Sequence, residues 1–199
     1  MDTSSAPPLA ELFARQRYAV WRSLLAGNEL RQLCSYAMLR ARSGTMRLDD
    51  EQAPGTPSAG GDVVMDGVLV DLVARVEQAT GLSLFPTYSY FRVYKRGDVL
   101  APHTDRPACE VSLTVSLGFA ADRPWPFVIK GPLGKAQIEL EPGDAVIYRG
   151  IECSHRRAAF DGESAAQLFL HYVDQHGPHA EWKFDKRPGL SAFPCKLRV

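Results

Sequence analysis

Apolar residues change their spacing partway along this chain. Before residue 84 they recur at helical intervals. Leu9, Phe13, Val20 and Leu24 stand four and seven positions apart, which predicts helix at the start. The stretch NELRQLCSYAMLRARSG, residues 28–44, opens on an asparagine suited to capping and stops at a glycine. A further helix is predicted in DGVLVDLVARVEQATG, residues 66–81, with Leu69, Leu72, Val73 and Val76 as its apolar face and Gly81 closing it. Between these helices lies DDEQAPGTPSAGGD, residues 49–62. Its Pro, Gly, Ser and acid offer almost nothing to bury, which predicts a mobile loop. From Leu84 the period falls to two, predicting strands at 87–94, 111–117, 127–129, 136–140, 145–148 and 166–173. The turn-forming stretches KRGD, ADRPWP, KGPLGK, EPGD and FDGES separate them. Many short strands with Gly and Pro turns predict a sandwich or barrel, braced by the preceding helices.

Composition narrows the picture without changing it. The 199 residues are 45% hydrophobic and 23% charged, enough to bury a proper core in one domain. Lys plus Arg equals Asp plus Glu at 23 each, so there is no large electrostatic footprint for nucleic acid or an anionic membrane. The four cysteines, Cys34, Cys109, Cys153 and Cys195, are scattered without a CxxC pair, as reduced thiols would be. Neither a secretory signal pattern nor a membrane-length apolar run is present, so the expected location is cytoplasmic, with no membrane partner.

The candidate chemistry lies in VLAPHTDRPACEVSLTVSLG, residues 99–118. His103 and Asp105 are two positions apart and share one face of an extended segment. Fifty residues after Asp105, the turn Pro142-Gly143-Asp144 launches an apolar strand, and His155 lies just beyond its far end. If the two segments face each other, two imidazoles and a carboxylate converge. Such a facial set holds Fe(II) on three positions and leaves the others open.

These residues carry a resemblance. FRVYKRGDVLAPHTD resembles the strand, turn and HxD of the prolyl 4-hydroxylase-like Fe(II)/2-oxoglutarate oxygenases, and GDAVIYRGIECSHRR with AAQLFLHYVD resembles their last core strands. The resemblance implies a double-stranded β-helix (jelly-roll, cupin-like) core over residues 84–199. Residues 1–83 would be bracing helices and the loop 49–62, packed on that core as one integrated catalytic domain. It implies His103, Asp105 and His155 as catalytic iron ligands, 2-oxoglutarate and O₂ as cosubstrates, and ascorbate as a supporting reductant. The implied reaction hydroxylates an unactivated C–H bond of an amino acid, peptide or small metabolite, with release of succinate and CO₂. A carboxylate at Asp105 disfavours a halogenase, which keeps that position free.

One feature departs from the pattern. Where the relatives place an Arg or Lys for the distal carboxylate of 2-oxoglutarate, this chain has Ser164 and Ala165, and no cation follows until Lys183. The cosubstrate contacts then fall to Arg157, on the same strand face as His155, with Gln167 and Tyr94; Lys130 is a weaker choice. The missing cation also leaves open a cupin-type iron dioxygenase that acts directly on its substrate without 2-oxoglutarate. Arg106, next to Asp105, can either orient that carboxylate, meet an acidic substrate, or simply be an exposed turn residue. His171, His176 and His179 read as solvated. Specificity is expected on the loops at 49–62, 106–110 and 120–126 and in the tail after Asp174.

Overall fold

The computed structural model describes residues 8–190, so Cys195 lies outside the described residues. Helix α1 (Leu9–Gln16) ends after two turns because Arg17 adopts left-handed backbone, φ 68°. The chain then becomes strand β1 (Tyr18–Trp21), so the four- and seven-residue spacing does not describe one helix. Helix α2 (Gly27–Arg42) forms where predicted. Asn28 does not cap it, because its side chain accepts instead from Arg31 and Ala26 occupies the cap position.

The segment 49–62 is a correction to expectation, for it buries several residues. Ala53, Thr56 and Ser58 are each at most 2% exposed. Strand β2 (Ser58–Gly60) pairs with residues 90–92, and Thr56 Oγ1 donates to Asp98 at 2.7 Å. Composition counts apolar side chains, whereas this segment is held by backbone pairing and by polar partners far along the chain. The helix predicted at 66–81 is two helices, α3 (Val63–Asp71) and α4 (Val73–Thr80), parted at Leu72. Asp62 caps α3 by accepting from the amides of Val64 and Met65. Gly81 closes α4 at φ 73°, as predicted.

Eight strands follow: β3 (Leu84–Lys95), β4 (Leu100–His103), β5 (Val111–Ala120), β6 (Phe127–Gly131), β7 (Gly134–Ile138), β8 (Ala145–Arg149), β9 (Ser154–Arg157) and β10 (Ser164–Asp174). They build two antiparallel sheets. The larger has the order β1-β8-β5-β10-β3-β2 and the smaller β4-β9-β6-β7. All six predicted strands are present. The four strands missed are β1, β2, β4 and β9, of three or four residues each, too short for a period of two to register. Cys34, Cys109 and Cys153 are free thiols, in line with the sequence reading.

Both faces of the larger sheet are buried, but against different things. Leu113 and Val115 of β5, Phe91 and Val93 of β3, and Leu168 and Leu170 of β10 pack against Phe13, Leu33, Met65, Leu69 and Val76 of the helices. Residues of opposite parity point inward toward the smaller sheet, and they are polar or aromatic. Ser112, Thr114 and Ser116 of β5 are at most 1% exposed, and Arg92, Gln167 and His171 are also buried. Polar groups interleaved with aliphatic ones would ordinarily face water. Here they line the interior between the sheets, and that is where the site lies.

Candidate active site

Register brings the predicted triad together. Strand β4 pairs with β9 so that His103 stands directly across from His155, with ring centroids 4.3 Å apart. Each imidazole is fixed by a backbone carbonyl two residues earlier. His103 Nδ1 bonds the Ala101 oxygen at 2.8 Å and His155 Nδ1 bonds the Cys153 oxygen at 3.0 Å. Those bonds hold the proton on Nδ1 and turn the Nε2 lone pairs inward, where Tyr148 Oη also lies 3.5 Å from His155 Nε2. Both Nε2 atoms face Asp105 Oδ1, at 3.7 Å from His103 and 3.6 Å from His155. Burial pushes the His155 imidazole pKa below its ordinary value, opposed by the Asp105 charge, so the ring is held neutral as a ligand must be.

The carboxylate is held by its other oxygen. Ser112 Oγ donates to Asp105 Oδ2 at 3.0 Å, and the Asp105 amide donates to the Gly150 carbonyl at 2.9 Å. Gly150 is required there, since a Cβ would overlap both Asp105 Oδ2 and the Cys109 carbonyl. His171 Nδ1 lies 2.9 Å from Ser112 Oγ, behind the carboxylate. This corrects the solvated reading of His171, which is 6% exposed, with burial pushing its pKa down to about 4. Two nitrogens and one oxygen, their donor atoms gathered within 4.8 Å on one side of a cavity, could hold a metal ion and are of the donor types that facial iron sites use. Asp105, Cys109 and His171 form a second cluster, but Cys109 Sγ is engaged by Tyr88 Oη at 3.0 Å and His171 by Ser112.

A cavity of about 360 Å³ opens over the triad, walled in part by Tyr88, Arg92, Arg106 and Tyr148, with Asp50 and Gln52 from the segment 49–62. Sequence reasoning missed the Arg92–Asp50 pair. Arg92 donates through Nε to Asp50 Oδ2 at 3.0 Å and through Nη2 to Gln52 Oε1 at 2.9 Å, and Tyr90 Oη also donates to Asp50. Nothing in the sequence links two residues forty-two positions apart. Ser112, Tyr148 and Gly150 were missed as well, and only the inward parity of β5 and β8 was available to suggest the first two.

The proposed cosubstrate contacts sit deeper. Arg157 is 1% exposed and lies between the rings of Trp125 and Phe127, 5.0 and 5.2 Å from their centroids. It donates to the Trp125 carbonyl and, through Nη2 at 3.2 Å, to Gln167 Oε1. Among the described residues its Nε has no partner and no carboxylate pairs with it. Burial pushes its pKa down to about 10. Tyr94 packs edge-on against Trp125 at 4.9 Å, and its hydroxyl accepts from Arg92 Nη1 at 3.2 Å. Phe127 stands between this layer and the triad, with its ring 5.5 Å from that of His155. Lys130 is exposed on β6 and does not enter the interior.

No protein-family model matches this sequence, and no curated protein matches it. Solved structures do match it in fold. A prolyl-4-hydroxylase from Pseudomonas putida superposes with a TM-score of 0.68 at 17% identity, covering 83% of this chain and 97% of that one. The epimerase SnoN of nogalamycin biosynthesis, solved with Fe³⁺, α-ketoglutarate and nogalamycin RO, gives 0.71 at 15% identity over 94% of this chain and 92% of SnoN. HygX from Streptomyces hygroscopicus, solved with nickel, 2-oxoglutarate and hygromycin B, gives 0.65 at 12% identity over 83% and 86%. The chain has the double-stranded β-helix fold of the 2-oxoglutarate/Fe(II) oxygenases, the superfamily its motifs resemble. No described helix is long and apolar enough to cross a membrane.

Proposed function

We propose that this protein is an Fe(II)- and 2-oxoglutarate-dependent dioxygenase that hydroxylates an unactivated C–H bond of an amino acid, peptide or small metabolite, releasing succinate and CO₂. The observation that carries this reading is the triad itself. His103 and His155 turn their Nε2 atoms toward Asp105 Oδ1 beneath an open cavity. Fe(II) held there would supply O₂ activation, with one oxygen atom going to the C–H bond and one to the new succinate carboxylate.

The rest falls to the protein's own residues. Ser112 and the Gly150 carbonyl keep Asp105 from turning away, so only Oδ1 faces the metal position. Arg157 supplies a buried cation with an unpaired Nε for the distal carboxylate of 2-oxoglutarate, with Gln167 and Tyr94 as its neighbours. A buried guanidinium without an anion is costly, and a carboxylate ligand removes that cost. Arg92, the other interior cation, is already neutralised by Asp50.

The test is anaerobic addition of Fe(II) and 2-oxoglutarate, read as a visible charge-transfer absorption, followed by O₂ and assay of succinate, with and without ascorbate. We expect the absorption and succinate in the unmutated protein and neither in His155→Ala. Iron-dependent oxidation of an organic substrate without consumption of 2-oxoglutarate would favour a cupin-type dioxygenase instead.

A further inference from the structure

Among the described residues, Arg106 is the one cation of the cavity wall left in exchange with solvent. The other, Arg92, forms a closed pair with Asp50, their side chains only 6% and 9% exposed. Arg106 is 44% exposed, and its partner Asp185, at 2.7 Å, is 27% exposed. The Arg106 guanidinium is braced over two aromatic rings, 4.6 Å from the centroid of Tyr88 and 5.6 Å from that of Trp182. Lys186 Nζ stands 4.0 Å from the same Trp182 ring and is paired with Glu181 Oε1 at 3.6 Å, so it adds no unpaired charge to this rim. Because Arg106 directly follows the carboxylate of the triad, whatever it binds is held beside the metal position.

Asp185 reaches Arg106 from outside the cavity wall, and its backbone is unfavourable. Phe184, Asp185 and Lys186 are three successive non-glycine residues in the left-handed region, at φ 53°, 57° and 59°. L-residues adopt that region singly and at a cost, and a run of three persists only where contacts hold it. The Arg106–Asp185 pair is such a contact, and water competes with it.

We propose that Arg106 is the docking residue for the primary substrate, and that this substrate is a small molecule bearing a carboxylate, which replaces Asp185 on the guanidinium. The proposal rests on the oxygenase reading above. The chain's own carboxylate shows which group this guanidinium accepts, and a planar guanidinium fork suits a carboxylate in two-point contact. The cavity of about 360 Å³ must also admit the cosubstrate, which leaves room for a compact molecule. Release of Asp185 relieves the turn at 184–186 and offsets part of the cost of breaking the ion pair.

The experiment uses the full chain with Fe(II) and 2-oxoglutarate. A panel of free amino acids and simple aliphatic and aromatic monocarboxylic acids is tested, each beside its primary amide, for stimulation of succinate release. At least one acid should stimulate and its amide should not. Arg106→Gln should raise the KM for that acid about tenfold or more while the Fe(II)/2-oxoglutarate absorption still forms, and Arg106→Lys should recover part of the loss. Asp185→Asn should lower that KM several-fold. The same acid should speed amide hydrogen exchange over residues 184–187 in the unmutated protein. An amide as effective as its acid, an unchanged KM in Arg106→Gln, or no response to any acid while the absorption is intact would overturn the proposal. Absence of that absorption in the unmutated protein would overturn the oxygenase reading, and this proposal with it.

Discussion

Replacing Arg157 with methionine separates stability from cosubstrate binding. Burial lowers the guanidinium pKa from its ordinary value to about 10, a difference worth about 3 kcal/mol against the charged form. A basic group whose pKa is lower in the folded state carries that penalty in full at every pH below about 10, so at pH 7 the ligand-free protein bears all of it. Methionine removes the penalty and keeps most of the volume between Trp125 and Phe127. It also removes the bonds to the Trp125 carbonyl and Gln167 Oε1, about 1 kcal/mol each. The two effects nearly cancel, so the ligand-free melting temperature should stay within about 3 °C of the parent or rise. Cosubstrate binding should not survive. Loss of a charge-assisted pair of roughly 2–3 kcal/mol weakens 2-oxoglutarate about thirty- to a hundredfold. The assay is thermal melting under anaerobic Fe(II), with and without 2-oxoglutarate. At a concentration near a hundred times the parent dissociation constant, the ligand adds about 2.7 kcal/mol to the parent and about 0.6 kcal/mol to a variant bound fiftyfold more weakly. An undiminished 2-oxoglutarate shift in Arg157→Met would refute the assignment. A ligand-free melting temperature more than about 10 °C lower would refute the desolvation argument beneath it.

Gly150→Ala should cut Fe(II) affinity at least about tenfold with the fold retained, because the added methyl displaces Asp105 Oδ2, and anaerobic metal titration reads this directly. Asp50→Asn leaves Arg92 buried without its anion. It should cost about 3–5 kcal/mol, a fall of roughly 10 °C in melting temperature, whereas a loop that buried nothing would give almost no change. In the metal-free protein, His171 is held neutral by burial, with its pKa down to about 4 from 6.5. The unfolded chain therefore takes up the proton first, and about 3 kcal/mol of stability should be lost as pH falls from about 6.5 to about 4. His171→Gln should flatten that limb of the stability curve, and an unchanged limb would show that another group sets it.

What the sequence determined follows from local chemistry. The period of two in β3, β5, β8 and β10, the Pro142-Gly143-Asp144 turn and the HxD spacing are properties of neighbouring residues, and neighbours dictate backbone and facing. That was enough for a mainly β core, for His103 and Asp105 on one face, and for His155 and Arg157 on another. Tertiary structure decided how far apart those faces lie. The pairing of β4 with β9 set His103 against His155, although each strand is only four residues long and carries no readable period. Alternation also left one question open, whether the polar side of a strand meets water or another sheet. Ser112, Gln167 and His171 met the other sheet, and they became part of the interior that holds the carboxylate and the buried guanidinium. The same ambiguity produced the error at 49–62. Its stability comes from Asp50 on Arg92 and Thr56 on Asp98, each forty-two positions away. Charge pairs at that range depend on how the chain returns to itself. Spacing along the sequence carries no information about that return.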